Sequence, residues 1–128
     1  MQRLALVALL VPDYDTAISY YTIKLGFDLL EDSDLGEDKR WVRVAPKGSG
    51  TAFLLAKASD PDQIAAIGRQ GGGRVWLFLE TDDFERDHAA FQANGVMFEE
   101  HPRRESYGAV AVFRDIFGNR WDLIEFAP

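Results

Sequence analysis

The sequence contains no cysteine and only two histidines. The absence of cysteine excludes disulfide bonds, thiolate metal ligands and a thiol nucleophile. Basic residues are also few, since 14 Lys and Arg stand against 21 Asp and Glu and give a net charge of −7. This balance argues against a nucleic-acid partner, whose phosphates require Lys and Arg. No apolar run approaches the roughly 20 residues that span a bilayer. We therefore expect a cytoplasmic protein that binds neither membrane nor nucleic acid.

The chain carries an internal repeat at a spacing of 68 residues. An apolar strand, an acidic helix cap, a helical pattern and a glycine follow one another at 6–26 and again at 74–95. The segment 50–55 aligns with 118–123 at the same offset. A duplication of this kind predicts two similar halves with a pocket between them.

Hydrophobic periodicity predicts the same order of elements, β-α-β-β-β, in each half. Asp13 can cap the first helix, and Asp82 with Glu85 has the spacing of a capping box for the second, over roughly 83–94. We predict an α+β fold of one domain, with module one at about 1–57, a linker at about 58–73 and module two at about 74–128. The predicted strands are 4–11, 27–32, 40–45, 51–56, 74–80, 96–99, 109–114 and 120–126.

Two segments resemble those of a known family. They are DYDTAISYY at 13–21, followed by LGF at 25–27, and FRDIFGNRWDLIE at 113–125. Both are similar to motifs of the vicinal oxygen chelate superfamily, which groups glyoxalases, bleomycin-resistance proteins, fosfomycin-modifying enzymes and extradiol dioxygenases. The resemblance implies two tandem βαβββ modules whose U-shaped sheets enclose a cavity. For a chain of this size it also implies a symmetric homodimer.

The resemblance further implies His or Glu metal ligands on the first and last strands of each module. In this chain those positions fall on Leu6, Leu54, Arg74 and Asp122. Leucine has no donor atom and arginine stays protonated, so this set cannot coordinate a divalent ion. We therefore expect no metal and no other cofactor. The alternative is a rebuilt metal site that uses Glu99 and His101, which share one side of a strand.

Strand alternation predicts which side chains line the cavity. The first module contributes an apolar wall, and the second contributes charged and aromatic groups. Arg74 and Asp122 are expected to form an ion pair that is either structural or part of a binding site. The candidate ligand-binding residues are Leu6, Leu54, Trp41, Arg74, Trp76, Phe78, Asp122, Arg104 and Tyr107, the last two on a loop before a strand.

Three functions are compatible with the sequence. The favoured one is binding of a small organic molecule in a metal-free cavity, as in the bleomycin-resistance proteins that the chain resembles. The second is a metal-dependent lyase or isomerase of the lactoylglutathione lyase type, or a dioxygenase, with unusual ligands. The third is a metal-free acid–base enzyme that uses Asp122 or Glu80. It ranks last because a carboxylate beside Arg74 would keep a low pKa and be a weak base.

Overall fold

Each half of the chain folds around its own β-sheet. The structure is a computed structural model that describes all residues from 1 to 128. It divides into two units, Met1–Ile67 and Gly68–Pro128. The boundary falls inside the segment that the sequence predicts to be a linker. No helix is long and apolar enough to cross a membrane.

The first unit is a four-stranded sheet with the strand order β1-β4-β3-β2, in which only the β1–β4 pair is parallel. A π-helical turn at Tyr20–Lys24 extends α1. The elements are β1 (Leu6–Val11), α1 (Tyr14–Ser19), β2 (Asp28–Gly36), β3 (Lys39–Ala45), β4 (Ala52–Lys57) and α2 (Pro61–Ala66).

Local chemistry explains where these elements begin and which face they bury. The Asp13 carboxylate accepts a hydrogen bond from Thr16 N at 2.8 Å and so caps α1, as predicted. Alternate residues of the strands are buried against the helix side of the sheet, together with Tyr21. The buried strand residues are Leu9, Val11, Val42, Val44, Phe53 and Leu55.

The second unit repeats this architecture in a five-stranded sheet with the order β5-β9-β8-β6, in which β7 also pairs with β8. The β5–β9 pair is parallel and the other pairs are antiparallel. The elements are β5 (Val75–Glu80), α3 (Phe84–Ala93), β6 (Met97–Phe98), β7 (Arg103–Glu105), β8 (Gly108–Arg114) and β9 (Arg120–Phe126). The predicted fold class, two βαβββ modules, is confirmed.

An aromatic cluster fixes α3 to one face of the second sheet. Phe91 of α3 meets Phe113 edge-on at 5.5 Å, and Phe113 stacks on Trp121 at 5.7 Å between ring centroids. Because side chains alternate along a strand, the neighbours of Phe113 and Trp121 point to the opposite face. That face therefore carries Val112 and Asp122.

Three local predictions need correction. The N-cap of α3 is Asp83, whose carboxylate accepts from Arg86 N at 3.1 Å, whereas Asp82 pairs with the Arg86 side chain. β2 continues to Gly36, because Glu37 and Asp38 both adopt positive φ and form the hairpin turn there. The segment 103–105, predicted to be loop, is strand β7.

Candidate functional site

Asp122 lies at the centre of the face of the second sheet that is turned away from α3. Cross-strand pairing places it between Phe78 of β5 and Val112 of β8. The residue is only 6% exposed, whereas neighbouring Phe78 is 64% exposed. A buried carboxyl group thus lies beside an open aromatic ring on one continuous surface.

The environment of Asp122 disfavours its charged form. Its Oδ1 atom is buried and has no hydrogen-bond partner. Burial raises the pKa of the Asp122 carboxyl above its ordinary value of 3.8, and the negative charge of Glu100 acts in the same direction. The positive charge of Arg103 opposes this shift without cancelling it. The carboxyl group is therefore a poorly solvated acceptor that a ligand donor could satisfy.

Arg103 extends the polar part of this surface, and sequence reasoning missed it. Its partner in the β7–β8 ladder is Val110, which pairs in turn with Ile124, so Arg103 shares the Asp122 face. Arg103 Nε donates to Glu100 Oε2 at 2.8 Å, and the Tyr107 side chain also hydrogen-bonds to Arg103. No sequence signal identifies it, because the pairing of Arg103 with Val110 depends on the register between β7 and β8.

The predicted ion pair between Arg74 and Asp122 does not form. Arg74 precedes β5, is exposed and has no carboxylate partner, while Phe78 is the residue opposite Asp122. Two features of the register explain this. Leu6 pairs with Ala52 in the first sheet, two residues before Leu54, and the second sheet has a register shift between Val75 and Leu77. Leu54 and Asp122 are equivalent positions, 68 residues apart. Their strand partners are Ala8 and Phe78, which are 70 residues apart. The simple repeat offset therefore misplaced Arg74.

The remaining candidates of the second unit are spread over several surfaces. Glu80 lies on the Asp122 face, in the row of Ile124 and Val110. Tyr107 is 48% exposed and lies close to Arg103. Arg104 lies on the other side, with its guanidinium 3.8 Å from Glu85 of α3. Arg74 and Trp76 line a separate cavity, which is described below.

The first sheet has an equivalent face, also turned away from its helix core. Leu54 pairs with Ala8 and Arg43, and Leu6 pairs with Ala52. Arg43 of β3 pairs with Leu54, and Trp41, a predicted cavity residue, lies two residues earlier on the same side of the strand. This wall is not wholly apolar, since Arg43 Nε pairs with Glu31 at 2.9 Å.

The donor set does not fit a divalent metal. No group of three His, Cys, Asp or Glu side chains is assembled anywhere in the chain. Glu99 is taken up by ion pairs with Arg114 and Arg120, at 2.5 Å and 2.8 Å, so its carboxylate is already neutralised. His88 is packed between Phe84 and Phe98. Asp122 has apolar neighbours in both adjacent strands, and one carboxylate does not make a metal site.

Comparison with known proteins agrees with this architecture. Residues 3–123 match the Glyoxalase/Bleomycin resistance protein/Dioxygenase superfamily, and the chain belongs to that family. An uncharacterized protein of Shewanella frigidimarina (strain NCIMB 400) is 53% identical over 126 residues, 97% of this chain and 93% of that protein. TnmS3, an antibiotic binding protein from Streptomyces sp. CB03234, is 32% identical, with a TM-score of 0.76 over 99% of this chain and 98% of its own.

A further solved structure is similar to the same extent. It is a glyoxalase/bleomycin resistance protein from Streptomyces sp. CB03234, 34% identical, with a TM-score of 0.74 over 95% of this chain and 99% of that chain. The family that the helix and closing-strand motifs resemble is thereby confirmed.

Proposed function

We propose that the protein binds a small organic molecule, without transforming it, on the Asp122 face of the second sheet. The observation that carries this proposal is the buried Asp122 Oδ1 without a hydrogen-bond partner. Leaving such a group unsatisfied costs about 1–3 kcal/mol. An unsatisfied buried acceptor is tolerated most readily where a ligand supplies the missing hydrogen-bond donor.

The neighbours of Asp122 define the chemistry of the ligand. Phe78 offers an exposed ring next to the carboxyl group, and the buried Val112 flanks the carboxyl group on the other side. Apolar walls with a few placed polar groups are typical of small-molecule sites. The ligand should therefore combine an aromatic or apolar body with a hydroxyl or N–H donor. The similarity to TnmS3, an antibiotic binding protein, supports this class.

A panel of matched compounds tests the proposal. Each aromatic compound with a donor is paired with an isostere that lacks it, and binding is measured by titration calorimetry. We expect the donor compounds to bind the wild type, and Asp122→Leu to weaken binding at least about tenfold, because leucine removes the acceptor. Asp62→Asn, an exposed change of the same charge in α2, is the control. Equal binding of both members of each pair would contradict the proposal.

Acid–base catalysis by Asp122 is the second candidate. Sequence reasoning ranked it last on the assumption that Arg74 lowers the pKa of Asp122, but burial raises that pKa and Arg74 is elsewhere. A raised pKa is what a general base near neutral pH requires. Recovery of bound ligands with unchanged mass after long incubation would support binding alone, whereas a converted product that needs Asp122 would establish catalysis.

We also propose that the chain works as a symmetric homodimer in the cytoplasm. Exposed apolar side chains support assembly, among them Leu30 at 47%, Met97 at 72% and Phe126 at 51%. Sedimentation equilibrium should give twice the 14.4 kDa mass of the chain at micromolar concentration. A mass of one chain would contradict the dimer.

A further inference from the structure

The second unit contains a cavity, separate from the Asp122 face, that has no role in the proposed function. It has a volume of about 140 Å³ and lies between the glycine-rich segment 68–74 and the turn 114–120. Since a water molecule occupies about 30 Å³ in the liquid, the cavity has room for roughly four or five waters. It suits a small ion or a single functional group and not a large organic molecule.

Tight backbone packing forms the walls of this cavity. A Cβ on Gly68 would lie 2.0 Å from the carbonyl oxygen of Phe117, and one on Gly71 would lie 2.6 Å from Trp76 Cβ. Only glycine allows these approaches. On the opposite wall the Asp115 carboxylate accepts from the backbone N–H groups of Phe117 and Asn119, at 2.9 Å and 3.0 Å. The cavity is therefore preformed.

The cavity is basic in a chain whose net charge is −7. Arg69, Arg74, Arg114 and Arg120 all line it. Glu99 pairs with two of these, Arg114 and Arg120. Arg69 and Arg74 form no ion pair with any carboxylate. The buried Asp115 carboxylate lies behind Asn119, so positive charge still predominates at the surface of the cavity.

Asn119 supplies a second, independent indication of a ligand. The residue is 2% exposed and lines the cavity. Its Nδ2 donates to Asp115 Oδ2 at 2.9 Å, which fixes the orientation of the amide. Its Oδ1 is left buried without a partner. A ligand that satisfies this wall must therefore carry a hydrogen-bond donor in addition to negative charge.

We propose that this cavity is a binding site for inorganic phosphate, which keeps at least one proton at neutral pH. Arg69 and Arg74 bind the charged oxygens, because guanidinium groups match phosphate geometry. The protonated phosphate oxygen donates to Asn119 Oδ1. Sulfate has the same shape and charge but no proton at neutral pH, so it satisfies only the arginines.

Calorimetric titration at constant ionic strength tests the site with inorganic phosphate, methyl phosphate and sulfate. We expect saturable binding of phosphate at one site per chain, and binding of sulfate at least about tenfold weaker. Methyl phosphate is mainly an unprotonated dianion at neutral pH, because the second pKa of a phosphate monoester is about 6. It should therefore bind more weakly than inorganic phosphate, and tighter binding of methyl phosphate would refute the hydrogen bond to Asn119. The absence of saturable binding of inorganic phosphate would overturn the proposal, and equal affinity for sulfate would overturn the role of Asn119.

The double variant Arg69→Gln with Arg74→Gln should lose phosphate binding by more than tenfold. Both side chains are exposed and form no ion pair, so the fold should persist, and a circular dichroism melt checks this. The control combines Arg104→Gln with Arg3→Gln, which removes the same charge at exposed positions outside the cavity. An equal loss in the control would show a general charge effect and refute the site.

Discussion

Replacing Asp122 by leucine should make the protein more stable and remove its ligand binding at the same time. The carboxyl group is 6% exposed, and its Oδ1 has no partner. Leu54 occupies the equivalent position of the first sheet, 68 residues earlier, so leucine is already accommodated at such a site. Removing an unsatisfied buried polar group should gain about 1–3 kcal/mol. For a chain of this size, that corresponds to a rise in Tm of roughly 4–12 °C at neutral pH.

The pH dependence of this gain provides an internal check. The folded-state pKa of Asp122 is raised above 3.8, so the folded chain binds more protons than the unfolded chain between those two pKa values. The wild type therefore loses stability as the pH rises through that window, and Asp122→Leu does not. Urea unfolding of both proteins from pH 3.5 upward should show a difference that grows with pH and then becomes constant. A variant less stable than the wild type by more than about 1 kcal/mol at pH 7 would refute this reasoning.

Four further substitutions test other parts of the structure. Burial lowers the pKa of His88 below 6.5. The free energy of unfolding of the wild type should therefore fall by up to about 1.4 kcal/mol per pH unit below that value. The urea midpoint of His88→Leu should not show this dependence on pH. Gly72→Ala meets open space at φ +69 and should cost about 1–2 kcal/mol in thermal unfolding. Gly68→Ala should cost at least about 1 kcal/mol more, because its Cβ meets the Phe117 carbonyl. Arg74→Met should change the free energy of unfolding by less than about 0.5 kcal/mol. A larger loss would be evidence for the ion pair that the sequence predicted.

Sequence patterns predicted the elements of this fold because those patterns are local. Alternation and helical spacing placed β1, α3 and β9 within a few residues of their observed bounds, and residues 115–119, between the last two predicted strands, form a tight turn. Asp115 forms that turn by accepting from Phe117 N and Asn119 N. The family fold of two tandem βαβββ modules was predicted from the two segments that resemble the family.

The candidate site was predicted less completely because it depends on strand register. Counting along the repeat detects neither the pairing of Leu6 with Ala52 nor the shift between Val75 and Leu77, so Arg74 was placed beside Asp122. Arg103 was missed because its segment has the composition of a loop and becomes strand only by pairing with β8. The acceptor atoms of Asp122 and Asn119 lack partners because of what surrounds them in three dimensions. Residue spacing in the sequence does not show these surroundings.

The most direct test of the central claim is native mass spectrometry of the wild type and Asp122→Leu after incubation with a library of aromatic compounds that carry hydroxyl or N–H donors. We expect the wild type to retain one ligand per chain at unchanged mass. We also expect Asp122→Leu, folded and more stable, to retain none of the compounds that the wild type selects. Retention of the same compounds by Asp122→Leu would contradict the assignment of this face as the binding site.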